Sequence, residues 1–318
     1  MGFSNIRNAL LEPIIALRDH AGQLFQFAIM RVDQRLSYAI FKTRFYKIVG
    51  YWPNFEDPKT FNEKINWRKI NDRNPAHTIV SDKLRMREYI SDRFGAQAAE
   101  AMLPKVLGIT TKPTAALFKS FGTGVAIKAN HGSGWVEIIA KDSQTDWDRI
   151  ASTARSWLRK TYGLRKHEWA YQNITPKIFA EELLSNSDHR QIIDIKFHVM
   201  HGVCEWLDIS HDRQQGVKFV NANRDWKKSE VTWKNYVQGN LPEKPVYYFE
   251  ILNLAEEIGQ DFDYIRVDFL GSQNEWKLGE LTLYDSSGLT AYADKSVDLA
   301  YGLRWNHRFN QNRYASQR

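Results

Sequence analysis

Apolar residues recur at roughly helical spacing from Leu10 to Ile40, and few breakers follow Pro13, so residues 1 to about 50 read as helical. A turn-rich connector with two prolines, Tyr51-Trp52-Pro53-Asn54-Phe55-Glu56-Asp57-Pro58, interrupts the pattern. Thr60-Phe61-Asn62-Glu63 forms a capping box that predicts a helix through Lys69, ended by Asn71-Asp72-Arg73-Asn74-Pro75. A second helix is expected from a cap at Ser81 or Asp82 to about Phe94, and a short one between Thr111 and Ser120. The period then changes. Val125-Ala126-Ile127-Lys128 and Trp135 to Ala140 read as strands of one hairpin, followed by a helix over Asp146 to Tyr162. Runs at 178–184, 191–200, 203–210, 264–270 and 276–283 alternate or are wholly apolar, with a helix near Tyr247 to Ile258 between them. Hairpin-linked strands and helices in blocks predict an α+β fold with mostly antiparallel sheet.

At 318 residues the chain fits one large domain or two closely joined ones, and an apolar fraction of 43% with 25% charged residues is ordinary for a soluble globular protein. The net charge of +7 suits polyanionic ligands such as nucleotide phosphates, an acidic glycan or an anionic membrane face. Part of the excess is at the end of the chain, in Arg308, Arg313 and Arg318. A single cysteine, Cys204, excludes an internal disulfide framework and a multi-cysteine zinc site. It sits in the run Val203-Cys204-Glu205-Trp206-Leu207, where a buried strand residue is the expected reading. No secretory pattern is visible at the start, and Glu12, Arg18, Asp19 and Arg31 break the apolar runs below the ~20 residues that span a bilayer. The stretch Leu10 to Ile40 is amphipathic, which fits a helix packed on its domain or one lying on a membrane surface.

Three features carry candidate chemistry. Lys128-Ala129-Asn130-His131-Gly132-Ser133-Gly134 ends a strand in a lysine followed by a small, glycine-containing loop, whose backbone amides could cradle phosphate oxygens. The Walker order is absent, and a plain hairpin turn has the same pattern. Ile265-Arg266-Val267-Asp268-Phe269 and Leu278-Gly279-Glu280-Leu281-Thr282 flank a turn at 271–274. If the turn closes a hairpin, Arg266, Asp268, Glu280 and Thr282 can share one face. Facing carboxylates suit a Mg²⁺ ion, and a solvated face with an Arg266–Glu280 pair is the bland alternative. Ile178-Phe179-Ala180-Glu181-Glu182-Leu183-Leu184 reads as a strand that either simply ends in acids or forms an edge beside an adenine and ribose. Lys196 and Arg213 are basic groups that gain meaning only beside a phosphate. Neither a histidine–cysteine zinc set nor a Gly-x-Ser-x-Gly elbow occurs.

In this order the pieces resemble the TupA-like branch of the ATP-grasp superfamily. The matching phrases are Pro58-Lys59-Thr60-Phe61-Asn62-Glu63-Lys64-Ile65-Asn66-Trp67, Ser81-Asp82-Lys83 with Arg87, Lys128 to Gly134, Ile178 to Leu184, Asp194-Ile195-Lys196-Phe197, Arg266-Val267-Asp268 and Gly279-Glu280-Leu281-Thr282. They cover about residues 50 to 290. The resemblance implies an ATP-grasp fold: two α+β subdomains with mostly antiparallel sheets gripping ATP, preceded here by an N-terminal helical segment. It divides the chain into a helical segment and connector (1–58), an N-terminal part (59–120), a nucleotide-binding lid (121–184), a metal- and acceptor-binding part (185–300) and a basic tail (301–318). Lys83, Lys128, His131, Gly132, Ser133 and Gly134 would meet ATP phosphates. Glu181, Glu182 and Leu184 would line the adenine and ribose. Asp268 and Glu280 would hold Mg²⁺, with Thr282 where many relatives have Asn. Lys196, Arg213 and Arg266 would act at the γ-phosphate or the acceptor.

The chemistry so implied is ligation. A carboxylate attacks the γ-phosphoryl group and an amine captures the acylphosphate. The expected substrate is a uronic acid of a bacterial surface polysaccharide such as capsule, or its sugar-nucleotide or lipid-linked precursor, joined to an amino acid or amine. Alternatives are an ATP-dependent glycan kinase, a glycosyltransferase of capsule or lipopolysaccharide synthesis, and a non-catalytic binder of acidic glycan or RNA. Nucleic acid is not expected as the partner. The expected location is the cytoplasm, with residues 1–50 offering peripheral contact with the inner face of the membrane.

Overall fold

Helices come in blocks and every strand pairing within the two sheets is antiparallel, as the hydrophobic periods predict. The computed structural model describes residues 3–184, 192–211, 216–272 and 274–306, with side chains from Ala16 onward. In chain order, α1 (Phe3–Arg35) and α2 (Ala39–Val49) are separated by a break in which Ser37 and Tyr38 take positive φ. Next is α3 (Phe61–Asn71), opened by the expected capping box. Thr60 accepts from the Glu63 amide, and the Glu63 carboxylate accepts from the Thr60 amide. Then come α4 (Pro75–Ser81), α5 (Arg85–Phe94), α6 (Ala96–Met102), β1 (Val106–Thr110), α7 (Ala115–Ser120), β2 (Val125–Ala129), β3 (Val136–Ile139), α8 (Trp147–Leu158), α9 (Trp169–Gln172) and β4 (Ile178–Glu182). The chain finishes with β5 (Ile193–Met200), β6 (Val203–His211), β7 (Lys218–Ala222), α10 (Tyr248–Gly259), β8 (Tyr264–Gly271), β9 (Trp276–Thr282) and α11 (Lys295–Arg304).

Several boundaries move for local reasons. Pro75 at the first helical position and Asn74 as its cap start α4 where the sequence suggests only a terminator. Asp82, expected to cap the next helix directly, closes α4 instead. Its side chain accepts from the Leu84 and Arg85 amides, so α5 begins at Arg85. α7 starts four residues into its expected span because Thr114 caps it, and α8 ends at Leu158 rather than Tyr162.

The chain divides into two compact units. The first comprises residues 1–41 and 105–183, the second 42–104 and 184–318. In the first unit the sheet order is β1-β4-β2-β3. Ile127, Ala129, Ile178 and Ala180 point to one side, where they pack with Ile150, Ala151, Ala154 and Trp157 of α8. β4 is therefore an interior strand, not the edge that the sequence allows, and its backbone is taken up by the neighbours on both sides. The part of α1 from Ala16 onward lies against residues 156–172 through a polar face. Asp19 accepts from Arg159 (2.9 Å), Gln23 from the Thr161 amide (2.8 Å), and Asp33 meets His167 Nε2 (2.8 Å).

In the second unit the sheet runs β7-β6-β5-β8-β9. The side chains of Ile195, Phe197 and Val199 are buried, with α10 packed against this sheet. Cys204 is a buried strand residue, as its sequence context implies, and burial raises its thiol pKa.

Candidate functional site

Strand alternation in β5 sends Asp194, Lys196 and His198 to the face opposite Ile195 and Phe197. The register then lines up partners across the whole sheet. Asn221 is opposite Asp208, Asp208 opposite Lys196, Lys196 opposite Asp268, and Asp268 opposite Glu280. One row of polar side chains thus crosses five strands. The neighbouring row holds Trp206, His198, Arg266 and Thr282. Arg266, Asp268, Glu280 and Thr282 share a face, as the even spacing predicts, and a bulge after Asp268 adjusts the β8–β9 ladder.

Arg266 is the centre of this face. Its Nε and Nη2 donate to the two Asp268 oxygens at 2.7 and 2.6 Å, its Nη1 to Asp285 at 2.5 Å, and its Nη2 also to Thr282 Oγ1 at 3.3 Å. The hydrogen bonds of Arg266 thus go to Asp268, Asp285 and Thr282, while Glu280 faces Lys83 Nζ at 3.7 Å and adds its charge to those acting on Arg266. Lys196 donates to Asp194. Asp208 is met by His198 Nε2 at 3.1 Å and by Asn221 Nδ2 at 2.8 Å. Burial pushes the Asp268 carboxyl above the usual carboxylate range, against the pull of Arg266 and Lys196. Burial acts the same way on Asp285, but there Arg266 prevails and holds the group below that range. Arg266 itself is held well above its ordinary value, because Asp268 and Asp285 outweigh its burial. Five carboxylates (Asp194, Asp208, Asp268, Glu280, Asp285) thus gather with three cations (Lys83, Lys196, Arg266).

That excess of oxygen donors fits a hard divalent cation. Among the described residues no three His, Cys, Asp or Glu side chains form a ready-made metal cage. Mg²⁺ needs none, because it is normally held by one or two carboxylates and completes its shell with water and substrate phosphates. Asp268 and Glu280, side by side on adjacent strands, are the pair that would hold it, with Thr282 one step along β9.

Beside this row lies a cavity of about 260 Å³ lined by Lys196, Asp208, Arg266 and Asp285 on one side and by Phe219, Trp233 and Tyr236 on another. The three aromatic rings touch one another, with centroids 4.3 Å apart for Phe219–Tyr236 and 5.9 Å for Trp233–Tyr236. A strap holds them in place. Lys234 N donates to Ala291 O, Ala293 N to Thr232 O, and Phe219 N to Val237 O, all at 2.9 Å. Tyr236, Trp233, Asp208 and Asp285 were not singled out from the sequence. Asp208 has a usable signal, its even position in an alternating strand, whereas the strap and Asp285 lie in irregular segments with no periodic mark.

In the first unit Lys128 and Glu181 form an ion pair across β2 and β4, on the face opposite the α8 core. The glycine loop after Lys128 is anchored at both ends. Asn130 Oδ1 accepts from Lys177 N at 2.7 Å, and His131 is buried with its ring nitrogens 3.1 Å from Asn130 Oδ1 and Trp157 O. Trp135 meets His131 edge-on, and a Cβ at Gly132 would sit 2.6 Å from the Trp135 ring. His131 and Gly132 therefore build the loop, and Ser133 and Gly134 form its exposed tip, with Gly134 at φ +74°. Glu182 is exposed and Leu184 half-buried, and the Leu183 amide donates to Gly124 O at 3.0 Å. Arg213 lies outside the described residues.

A protein-family model described as TupA-like ATPgrasp matches residues 63–305. No curated protein matches the chain. Among solved structures it is similar to a D-alanine–D-alanine ligase from Bacillus anthracis, with 14% identity and a TM-score of 0.38 over 71% of this chain and 66% of that one. It is also similar to the ATP-grasp ligase PsnB in complex with a minimal precursor, with 13% identity and a TM-score of 0.37 over 74% of this chain and 62% of that one. A D-alanine–D-alanine ligase from Helicobacter pylori gives 12% identity and a TM-score of 0.39 over 73% and 62%. The chain thus spans just under two thirds of the length of these three proteins.

Proposed function

The chain belongs to the TupA-like ATPgrasp family and carries the α+β ATP-grasp fold, and on that premise we propose that it is an ATP-dependent carboxylate–amine ligase. The observation that supports this reading is the row Asp208–Lys196–Asp268–Glu280 with Lys83 on Glu280, in which paired carboxylates adjoin lysines beside a cavity. In the second unit we assign Asp268 and Glu280, with Thr282 beside them, to Mg²⁺, and Lys83 to ATP phosphate. Lys196, Arg266 and Arg213 are assigned to the reacting groups. In the first unit we assign Lys128 and the tip Ser133–Gly134 to phosphate oxygens and Glu181, Glu182 and Leu184 to the nucleoside. His131 and Gly132 support the tip.

When bound, Mg²⁺ would supply charge neutralisation to the phosphates during transfer. Lys196, next to Asp268 in the row, suits a developing negative charge on the acceptor side, and Asp194 fixes its position. A carboxylate oxygen of the acceptor attacks the γ-phosphorus and ADP leaves. The amine then attacks the acyl carbon and phosphate leaves, with the amine proton passing to a base or to solvent. The acceptor is a uronic acid of a bacterial surface polysaccharide such as capsule, or its precursor, and the amine is an amino acid or simple amine. ATP supply places the reaction in the cytoplasm. Among the described residues no helix is long and apolar enough to cross a membrane.

Calorimetric titration of MgATP tests the nucleotide half. Lys128→Ala should weaken binding and Asp268→Ala should make it insensitive to Mg²⁺. The ligase half is tested with a uronate labelled with ¹⁸O in its carboxylate. An acylphosphate path transfers one label to inorganic phosphate and yields an amide, whereas a glycan kinase leaves phosphate on the sugar. Release of neither ADP nor phosphate with any uronate and amine pair counts against ligation.

A further inference from the structure

α1 is attached the wrong way round for an ordinary surface helix. From Ala16 onward the positions at least partly covered by the first unit include Ala16, Asp19, Gln23, Gln26, Met30 and Asp33, spaced alternately by three and four. Most are polar, and three make the contacts already described with Arg159, Thr161 and His167. The opposite side is apolar and exposed. Leu17 is 71% exposed, Leu24 59%, Phe25 67% and Val32 48%, with the exposed Ala21 and Ala28 between them. At 3.6 residues per turn this stripe lies roughly 180° from the covered one.

Charge follows the same division. Between residues 16 and 36 the only acids, Asp19 and Asp33, are buried. The three arginines of that span, Arg18, Arg31 and Arg35, are exposed, so no carboxylate faces outward beside the apolar stripe. We propose that this face of α1 docks onto an anionic lipid surface, lying in the plane of the interface. The combination of large apolar side chains, flanking arginines and no outward acid is what such a surface selects. A second copy of the helix is a poorer occupant. On its outer face Arg31 and Arg35 fall within or next to the apolar stripe, and two such helices would bring like charges together in the seam.

The test is flotation of the full chain with large unilamellar vesicles of phosphatidylcholine alone and of phosphatidylcholine with 30% phosphatidylglycerol. Binding to the anionic vesicles is expected, with a preference of about fivefold per arginine engaged and a decline as salt rises. Leu24→Gln with Phe25→Gln, both exposed, should reduce partitioning at least tenfold while leaving the circular dichroism and melting temperature unchanged. Arg31→Gln with Arg35→Gln should remove most of the preference for the anionic vesicles. Absence of binding to either vesicle overturns the proposal. So does binding that the Leu24/Phe25 variant leaves intact. Light scattering that shows a dimer abolished by that variant, without vesicle binding, would assign the face to protein association instead.

Discussion

Arg266 holds two buried carboxylates at once, and removing it should hurt far more than removing either partner. Its side chain is 13% exposed, with Asp268 at 9% and Asp285 at 7%. Arg266→Met takes both hydrogen bonds from Asp268 and the 2.5 Å bond from Asp285, leaving two carboxylates in low dielectric with no guanidinium between them. Breaking a buried pair in this way costs about 3–5 kcal/mol. Asp268→Asn leaves Arg266 still bonded to Asp285 and replaces one charge by a neutral amide, so about 1–3 kcal/mol is expected. Urea unfolding followed by tryptophan fluorescence gives both values. The cost of Arg266→Met should also shrink as pH falls. Burial already raises the Asp268 carboxyl, and without the guanidinium the folded state binds that proton more tightly than the unfolded chain does. Combining Arg266→Met with Asp268→Asn should then be less damaging at neutral pH than Arg266→Met alone. An Arg266→Met protein within about 1 kcal/mol of wild type, or one more stable than Asp268→Asn, would refute the description of Arg266 as the group that neutralises this face.

Gly132→Ala places a Cβ 2.6 Å from the Trp135 ring and forces that ring away from His131. Overpacking of this kind costs about 1–3 kcal/mol, so a lower melting temperature together with weaker ATP binding is expected. Asp298 accepts from the Asn62 amide at 2.9 Å and from Tyr51 at 2.7 Å, yet burial pushes its pKa up to about 6 from 3.8. The folded state therefore holds this proton more tightly. The contribution is complete below pH 4 and lost as pH rises through 6, up to about 3 kcal/mol at 1.36 kcal/mol per unit. Asp298→Asn should flatten the dependence of urea stability between pH 4 and 7.

The elements that the sequence announces clearly are those with both a periodic pattern and a local stop. Thr60 and Glu63 mark α3 through a cap that closes on itself, and Lys128 and Asp268 sit on short runs rich in apolar and β-branched residues, each followed by a turn and a partner strand. β1 was missed because Val106-Leu107-Gly108-Ile109-Thr110 is short and gains its place only by pairing with β4, far along the chain. The same remote pairing makes β4 an interior strand. The pairing of Lys83 with Glu280 was equally beyond local reading. Family resemblance grouped both with ATP, but only the packing of residues 75–85 near β9 brings them to 3.7 Å. The charge balance around Arg266 was illegible for a similar reason, since Asp285 comes from an irregular turn in which Ser286 and Ser287 take positive φ.

The row of side chains across the second sheet has a consequence for the order in which the protein becomes competent. β5, β6 and β7 follow one another as a local meander, whereas β8 and β9 form a later hairpin that reaches β5 after the whole of α10. Asp208 and Lys196 can thus be in register early, but Asp268 and Glu280 join them only when the non-local β5–β8 seam closes, the slower kind of event in folding. A chain that has built only the meander holds half the row and has no adjacent carboxylate pair to offer a divalent ion. A ligand that needs that pair therefore binds the completed sheet alone, and its binding energy adds entirely to the stability of the finished state.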